Sequence, residues 1–160
     1  MPPVTSAGLL LHRPGPDGTE VLLGHMGGPF WARKEHSWTV PKGEHGPDET
    51  PLDAARREFA EEIGRPAPDG EPVALGSVRQ SRKTVTVFAL DGTGFDGADA
   101  VADRPDDGGW VEIEWPPRSG RRIRFPELDR AQWCDLATAR ERIVVAQQPF
   151  LDRLEALVAG

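Results

Sequence analysis

Glu58, Glu61 and Glu62 lie within Pro51 to Ile63, a stretch whose apolar residues Leu52, Ala55, Phe59 and Ile63 recur at helical spacing. At ~100° of rotation per residue those four share one stripe, and the three glutamates fall in a neighbouring sector spanning ~100°. Glu58 and Glu62 form an i, i+4 pair, and Glu61 is i+3 from Glu58. Like charges at these spacings repel by ~0.2–0.5 kcal/mol per pair, so the helix gains nothing locally from them. A cation on that face removes the conflict. Hard carboxylate oxygens suit Mg²⁺ or Mn²⁺, with water and phosphate oxygens completing the shell. A glutamate-rich face standing alone is ordinarily just solvated, so the weight rests on what surrounds this one.

The segment from Trp38 to Arg65 reads WTVPKGEHGPDETPLDAARREFAEEIGR. Pro41 fixes its own backbone and pushes Val40 to extended geometry. Gly43 and Gly46 open conformations that a side chain forbids. Thr50 is placed to N-cap the helix, with Pro51 at the favoured first position and Asp53 in support. Gly64 supplies the stop, and Pro66 follows it. A loop, a helix of about three turns and a second loop are therefore expected.

Around this segment the chain reads as short strands. Ala7–Leu11 and Glu20–Gly24 flank a turn at Arg13–Gly18, and Ser37–Val40 is a brief strand after a glycine-rich loop. Glu71–Arg79 and Thr84–Leu90 form two more, and Trp110–Trp115 alternates apolar with acidic residues. Asp91–Gly109 reads as a long surface loop. Beyond Pro126 the spacing of Trp133, Leu136, Arg140 and Ile143, then Phe150, Leu151, Leu154 and Leu157, predicts helix. No repeat or linker divides the chain. A single mixed α/β domain over residues 1–160 is expected.

The bulk numbers narrow the partners. Nineteen basic residues against 26 acidic leave a formal charge of −7. That opposes a nucleic-acid polymer, which needs a basic track to replace phosphate counterions. A small anionic substrate is still compatible, because a bound divalent cation reverses the local charge. No run of ~20 apolar residues suits a membrane span. Met1-Pro2-Pro3-Val4 lacks the basic and apolar regions of a signal peptide. Cys134, the one cysteine, rules out an internal disulfide. A cytoplasmic protein is the expectation.

The loop–helix–loop resembles the Nudix box: Gly, five residues, Glu, seven residues, then Arg-Glu-apolar-any-Glu-Glu-any-Gly-apolar. Here Gly43, Glu49, Arg57, Glu58, Glu61, Glu62 and Gly64 occupy every fixed place. At average residue usage that coincidence arises at on the order of one in 10⁸ start positions. Arg65 is the one departure, where an apolar residue is usual. The resemblance implies a Nudix-type α/β/α sandwich with a mixed central sheet, and a Mg²⁺-dependent (or Mn²⁺-dependent) hydrolase of nucleoside diphosphates linked to another group. It implies that Glu58 and Glu62 ligate the metal and that Glu61 ligates a further ion or acts as base. Arg57 and Glu49 brace the loop against the helix, and a backbone carbonyl near Lys42 and Gly43 joins the metal shell. The general base stays open, with Glu112, Glu114 and Glu127 as alternatives to the box. Trp115-Pro116-Pro117-Arg118-Ser119-Gly120, with Phe125-Pro126-Glu127 and Asp129-Arg130-Ala131, further resembles a bacterial group of predicted nucleotide pyrophosphohydrolases.

For substrate, two basic clusters stand out: Arg33 with Lys34, and Arg79 with Arg82 and Lys83, joined by Lys42 and Gly43 of the box. Phe30 and Trp31 are candidates to stack on a base. His25, His36 and His45 lack the spacing of a zinc site, and Cys134 reads as a buried small residue rather than a nucleophile. Dinucleoside polyphosphates, nucleoside triphosphates and nucleotide sugars compete as substrates, with the Trp38–Gly43 stretch favouring polyphosphates. The rival is a regulatory nucleotide-binding module on the same fold. Such modules usually lose a box carboxylate, and here all are present. Nothing in the sequence sets an oligomeric state.

Overall fold

The computed structural model describes residues 4–103 and 109–159. Its strands are β1 (Val4–Gly15), β2 (Gly18–Met26), β3 (Trp38–Thr39), β4 (Lys42–His45), β5 (Val73–Gln80), β6 (Lys83–Asp91), β7 (Trp110–Glu114), β8 (Arg122–Pro126) and β9 (Leu128–Asp135). The helices are α1 (Pro51–Ile63), α2 (Leu136–Arg142) and α3 (Gln148–Ala159).

The main sheet runs β3-β2-β1-β6-β5. In it β1 lies parallel to β6 and antiparallel to β2, so the sheet is mixed. The N-terminal half of β1 pairs with β4 and its C-terminal end with β2, while the other edge of β2 takes β9. The period-2 alternation of β1 sends its side chains to two cores. Ala7, Leu9 and Leu11 pack under α1 with Ala55, Phe59 and Ile63. Leu10 faces the other way, with Val85 and Val87 of β6 against Phe150, Leu151 and Leu154 of α3. The result is the expected α/β/α sandwich with a mixed central sheet. A separate β7–β8 hairpin stands beside it.

The helix signals of the box hold, but Lys42–His45 is strand β4 rather than loop, and neither Gly43 nor Gly46 takes the left-handed backbone. Thr50 is extended (φ −70°, ψ 153°) and its hydroxyl accepts from the Asp53 amide, Pro51 begins α1, and Gly64 closes it at φ 91°. Two further expectations need correction. Residues 128–135 form strand β9, not helix, and helix begins only at Leu136. Asp91–Gly109 is not simply a surface loop: Gly97–Asp103 is a 3₁₀ turn, with Val101 3% exposed. Phe95 meets Phe59 edge-on with ring centroids 5.6 Å apart, which ties the segment to α1. Residues 104–108 of that stretch lie outside the described residues.

Candidate active site

The path from β3 to α1 is held by short-range bonds. Gln147, fully buried, accepts from the Val40 amide at 3.0 Å and donates to the Thr39 hydroxyl at 2.9 Å. The Leu9 amide donates to the Pro41 carbonyl at 3.2 Å. These bonds deliver β4 to the edge of β1, opposite the C-terminal half of α1. There the Lys42 amide donates to Glu62 Oε1 at 2.8 Å, so strand and helix meet through a carboxylate. Gly43 is required at the next position. A Cβ built on it would fall on the Glu58 carboxyl group. The box glycine thus makes room for a glutamate rather than for a turn.

Arg57 binds the loop to the helix. Its Nε and Nη2 donate to the two carboxylate oxygens of Glu49, each at 2.8 Å. Nη1 donates to Glu58 at 2.8 Å and to Glu61 at 3.2 Å. The fork therefore spans the loop and two of the three helix glutamates, a geometry lysine cannot reproduce. Its hydrogen bonds to Glu49 hold the guanidinium's proton more tightly than usual and bring the Glu49 carboxyl below the usual range.

Glu58, Glu62 and Glu127 come together, each offering an oxygen within 4.8 Å of the others. Glu127 sits between β8 and β9. Its amide donates to Gly109 and its carbonyl accepts from Gly27, at 2.8 and 2.9 Å. Glu62 is 4% exposed. Burial first, then its hydrogen bond with the Glu127 carboxyl, pushes it well above the ordinary carboxylate range. Burial also raises Glu58, against the pull of Arg57. Buried carboxyl groups held against one another are what a hard cation resolves, and three clustered oxygens are a donor set it takes. Glu61 stands apart, turned to Arg57 with its side chain 40% exposed. Glu112 pairs with Arg122, and Glu114 accepts from the Arg118 amide.

Beside these carboxylates opens a cavity of about 420 Å³. Its polar lining includes Glu44, Glu62, Glu127, Lys42 and Lys83, and Trp31, Phe30, Val111, Ile113 and Phe125 supply apolar wall. The Lys42 and Lys83 side chains meet within hydrogen-bonding reach, and burial with that neighbouring charge brings Lys42 down to about 8. Of the predicted substrate residues, the fold brings Lys42, Gly43 and Lys83 to the wall. Arg33, Lys34 and Arg79 lie off it, although Lys34 Nζ rests 3.6 Å from the Phe30 ring centroid. The apolar residues of the β7–β8 hairpin and Ser6 of β1 were not anticipated. Nothing local in β1 or β7 announces a cavity that only the fold assembles.

Cys134 of β9 is buried, and burial pushes its thiol up to about 11. No helix among the described residues is long and apolar enough to cross a membrane.

An α/β/α sandwich that gathers the carboxylates of one loop–helix–loop beside an open cavity is the arrangement of the Nudix class. The chain belongs to that family: the NUDIX domain model matches residues 2–154. A Mycobacterium tuberculosis H37Rv protein carrying the provisional name 8-oxo-dGTP diphosphatase 3 is 38% identical over 99 residues, 61% of this chain and 42% of that one. An RNA pyrophosphohydrolase of Pseudomonas putida KT2440 is 41% identical over 56 residues, 34% of this chain and 35% of its own. The chain thus spans less than half the length of these curated relatives. Among solved structures, a Caenorhabditis elegans Ap4A hydrolase binary complex aligns with TM-score 0.62 at 21% identity, covering 98% of both chains. At that identity the likeness concerns the fold.

Proposed function

We propose that this chain is a metal-dependent hydrolase that cleaves a P–O–P bridge in a nucleoside polyphosphate. The observation that carries this reading is the convergence of Glu58, Glu62 and Glu127, two of which, Glu62 and Glu127, line a cavity that also carries aromatic and aliphatic side chains. The donor set fits Mg²⁺ or Mn²⁺: three hard oxygens, no thiolate, and no imidazole in the group. Glu127, provided by the strand connection, takes the third place in this reading. Glu61 is left at the solvent side with Arg57, as a further ligand or base.

A divalent cation held there supplies charge compensation for the diphosphate and a lowered pKa for attacking water. The chain's own residues do the rest. Lys42 and Lys83 face the cavity as ammonium donors for phosphate oxygens. The β7–β8 hairpin and Trp31 enclose a flat apolar group such as a nucleobase. Arg57 keeps Glu58 in place through its bonds to Glu49. The names of the relatives, which concern an oxidised nucleoside triphosphate, a dinucleoside tetraphosphate and RNA, agree in a phosphate chain attached to a nucleoside.

The test is a substrate panel with Mg²⁺ and products identified by mass spectrometry, run beside Glu62→Gln. It includes nucleoside triphosphates with 8-oxo-dGTP, diadenosine polyphosphates, nucleotide sugars and a 5′-triphosphorylated RNA. Metal-dependent cleavage that the variant loses by at least about a hundredfold supports the reading. Nucleotide binding without turnover across the panel rejects it in favour of a regulatory module.

A further inference from the structure

The stretch Gly24-His25-Met26-Gly27-Gly28 carries the end of β2 into the loop that bears Phe30 and Trp31, and three of its five residues have no side chain. The missing side chains make room for the start of β9 and the connection that leads into it. A Cβ on Gly24 would fall on the Leu128 side chain, one on Gly27 on the Pro126 carbonyl oxygen, and one on Gly28 on the Phe125 ring. His25, between them, holds its Nδ1 2.8 Å from the Asp129 carboxylate. Residues 125–129 thus lie along residues 24–28, with Glu127 in the middle.

Glu127 itself is in neither sheet. Its amide donates to the Gly109 carbonyl beside β7 at 2.8 Å, and its carbonyl accepts from the Gly27 amide at 2.9 Å. These two bonds fix the backbone from which its carboxylate reaches Glu58 and Glu62. The three glycines are not equivalent. Gly24 and Gly28 are met by side chains, which can turn aside, whereas Gly27 is met by backbone. Only a residue without a Cβ lets two backbones approach so closely. The ground beneath the contact is also held: the Met26 amide donates to the Ser37 carbonyl at 2.9 Å and closes the base of the loop.

We propose that Gly27 is a positioning residue for the metal site: its amide and its missing side chain set the β8–β9 connection where Glu127 can join Glu58 and Glu62. An alanine there displaces the connection, and the cation loses the carboxylate of the cluster that lies outside α1. The proposal rests on the hydrolase reading for the purpose of the cation, and its test reads the cation alone.

The test is Mn²⁺ titration, followed by electron paramagnetic resonance, of wild type, Gly27→Ala, Glu127→Gln and the double variant, with Gly64→Ala as a variant destabilised elsewhere. Gly27→Ala and Glu127→Gln are each expected to weaken Mn²⁺ binding about tenfold or more. The double variant should lose no more than about twofold beyond Glu127→Gln, because both changes remove one ligand, and Gly64→Ala should stay within about twofold of wild type. Unchanged affinity in either single variant, losses that multiply in the double variant, or an equal loss in Gly64→Ala would each overturn the proposal. Should Gly27→Ala fail to fold, hydrogen exchange of the Gly27 amide decides. Mg²⁺ is expected to slow that exchange about fivefold or more in wild type and to leave it within about twofold in Glu127→Gln. An amide indifferent to Mg²⁺ in wild type overturns the proposal. If the expected pattern appears while wild type hydrolyses nothing, the positioning role stands and the hydrolase reading falls. Metal-dependent hydrolysis, with Gly27→Ala binding Mn²⁺ as wild type does, gives the reverse.

Discussion

At the scale of single residues, the box glutamates divide by environment rather than by spacing. Glu58, Glu61 and Glu62 are equivalent in sequence, yet one is turned to solvent by Arg57 and two face a carboxylate from elsewhere in the chain. Glu127→Gln should therefore weaken Mn²⁺ binding more than Glu61→Gln does, as read by electron paramagnetic resonance titration. The reverse order would return Glu61 to the ligand set. Gly43→Ala is the more discriminating change. Its methyl group collides with the Glu58 carboxyl, so that carboxylate must move. The expected cost is on the order of 10–100-fold in metal affinity. An unshifted metal affinity would show that β4 yields instead.

At the scale of elements, legibility followed locality. Helix α1 was readable because its cap, its proline, its apolar stripe and its glycine stop all lie within its own residues. Gly64 carries a local penalty that can be measured: at φ 91°, alanine costs about 1–2 kcal/mol. The melting point of Gly64→Ala should fall by roughly 2–8 °C, with metal affinity little changed. A neutral effect would mean that the C-terminal turn of α1 relaxes. β4 was invisible because Lys-Gly-Glu-His has no strand pattern and is a strand only through its pairing with β1. β9 was misread for a definite reason. The helical spacing rested on Trp133, Leu136, Arg140 and Ile143, and only Trp133 of these lies in the strand, so the period of α2 was carried back across the β9–α2 boundary at Asp135. The register of β9 against β2 slips between His25 and Met26, so that Asp129 has no partner. Asp129, left without a register partner, still ties the strand to β2 by lying 2.8 Å from His25 Nδ1. Glu127 precedes that irregularity directly, so its approach to α1 was beyond local reading. The Glu58–Glu62 half of the site was legible; the half contributed by β1, β6 and the β8–β9 connection was not.

At the scale of the whole molecule, a cation held by Glu58, Glu62 and Glu127 would compete with protons for the same carboxylates. Glu62 and Glu58 are raised in the folded chain, chiefly by burial. Between the ordinary carboxylate value and the raised ones, the native state holds more protons than the unfolded state, so stability falls as pH rises. Asp91 and Asp135 are lowered by hydrogen bonds from Thr93 and Thr138. Their contribution has the opposite sign, present above the ordinary carboxylate range and lost on acidification. His12, lowered by burial, likewise contributes stability that is lost as pH drops below the ordinary imidazole value. Subtracting the melting curve of Glu62→Gln from that of wild type cancels these other groups. The metal-free difference should become more negative as pH rises above the ordinary carboxylate range, with wild type falling below the variant. Saturating Mn²⁺ should reverse the order, because the cation needs the ionised carboxylate that the empty cluster resists. A difference independent of pH and unmoved by metal would mean that Glu62 is a structural tie to the Lys42 amide and nothing more. In that event the convergence with Glu127 would have no bearing on catalysis.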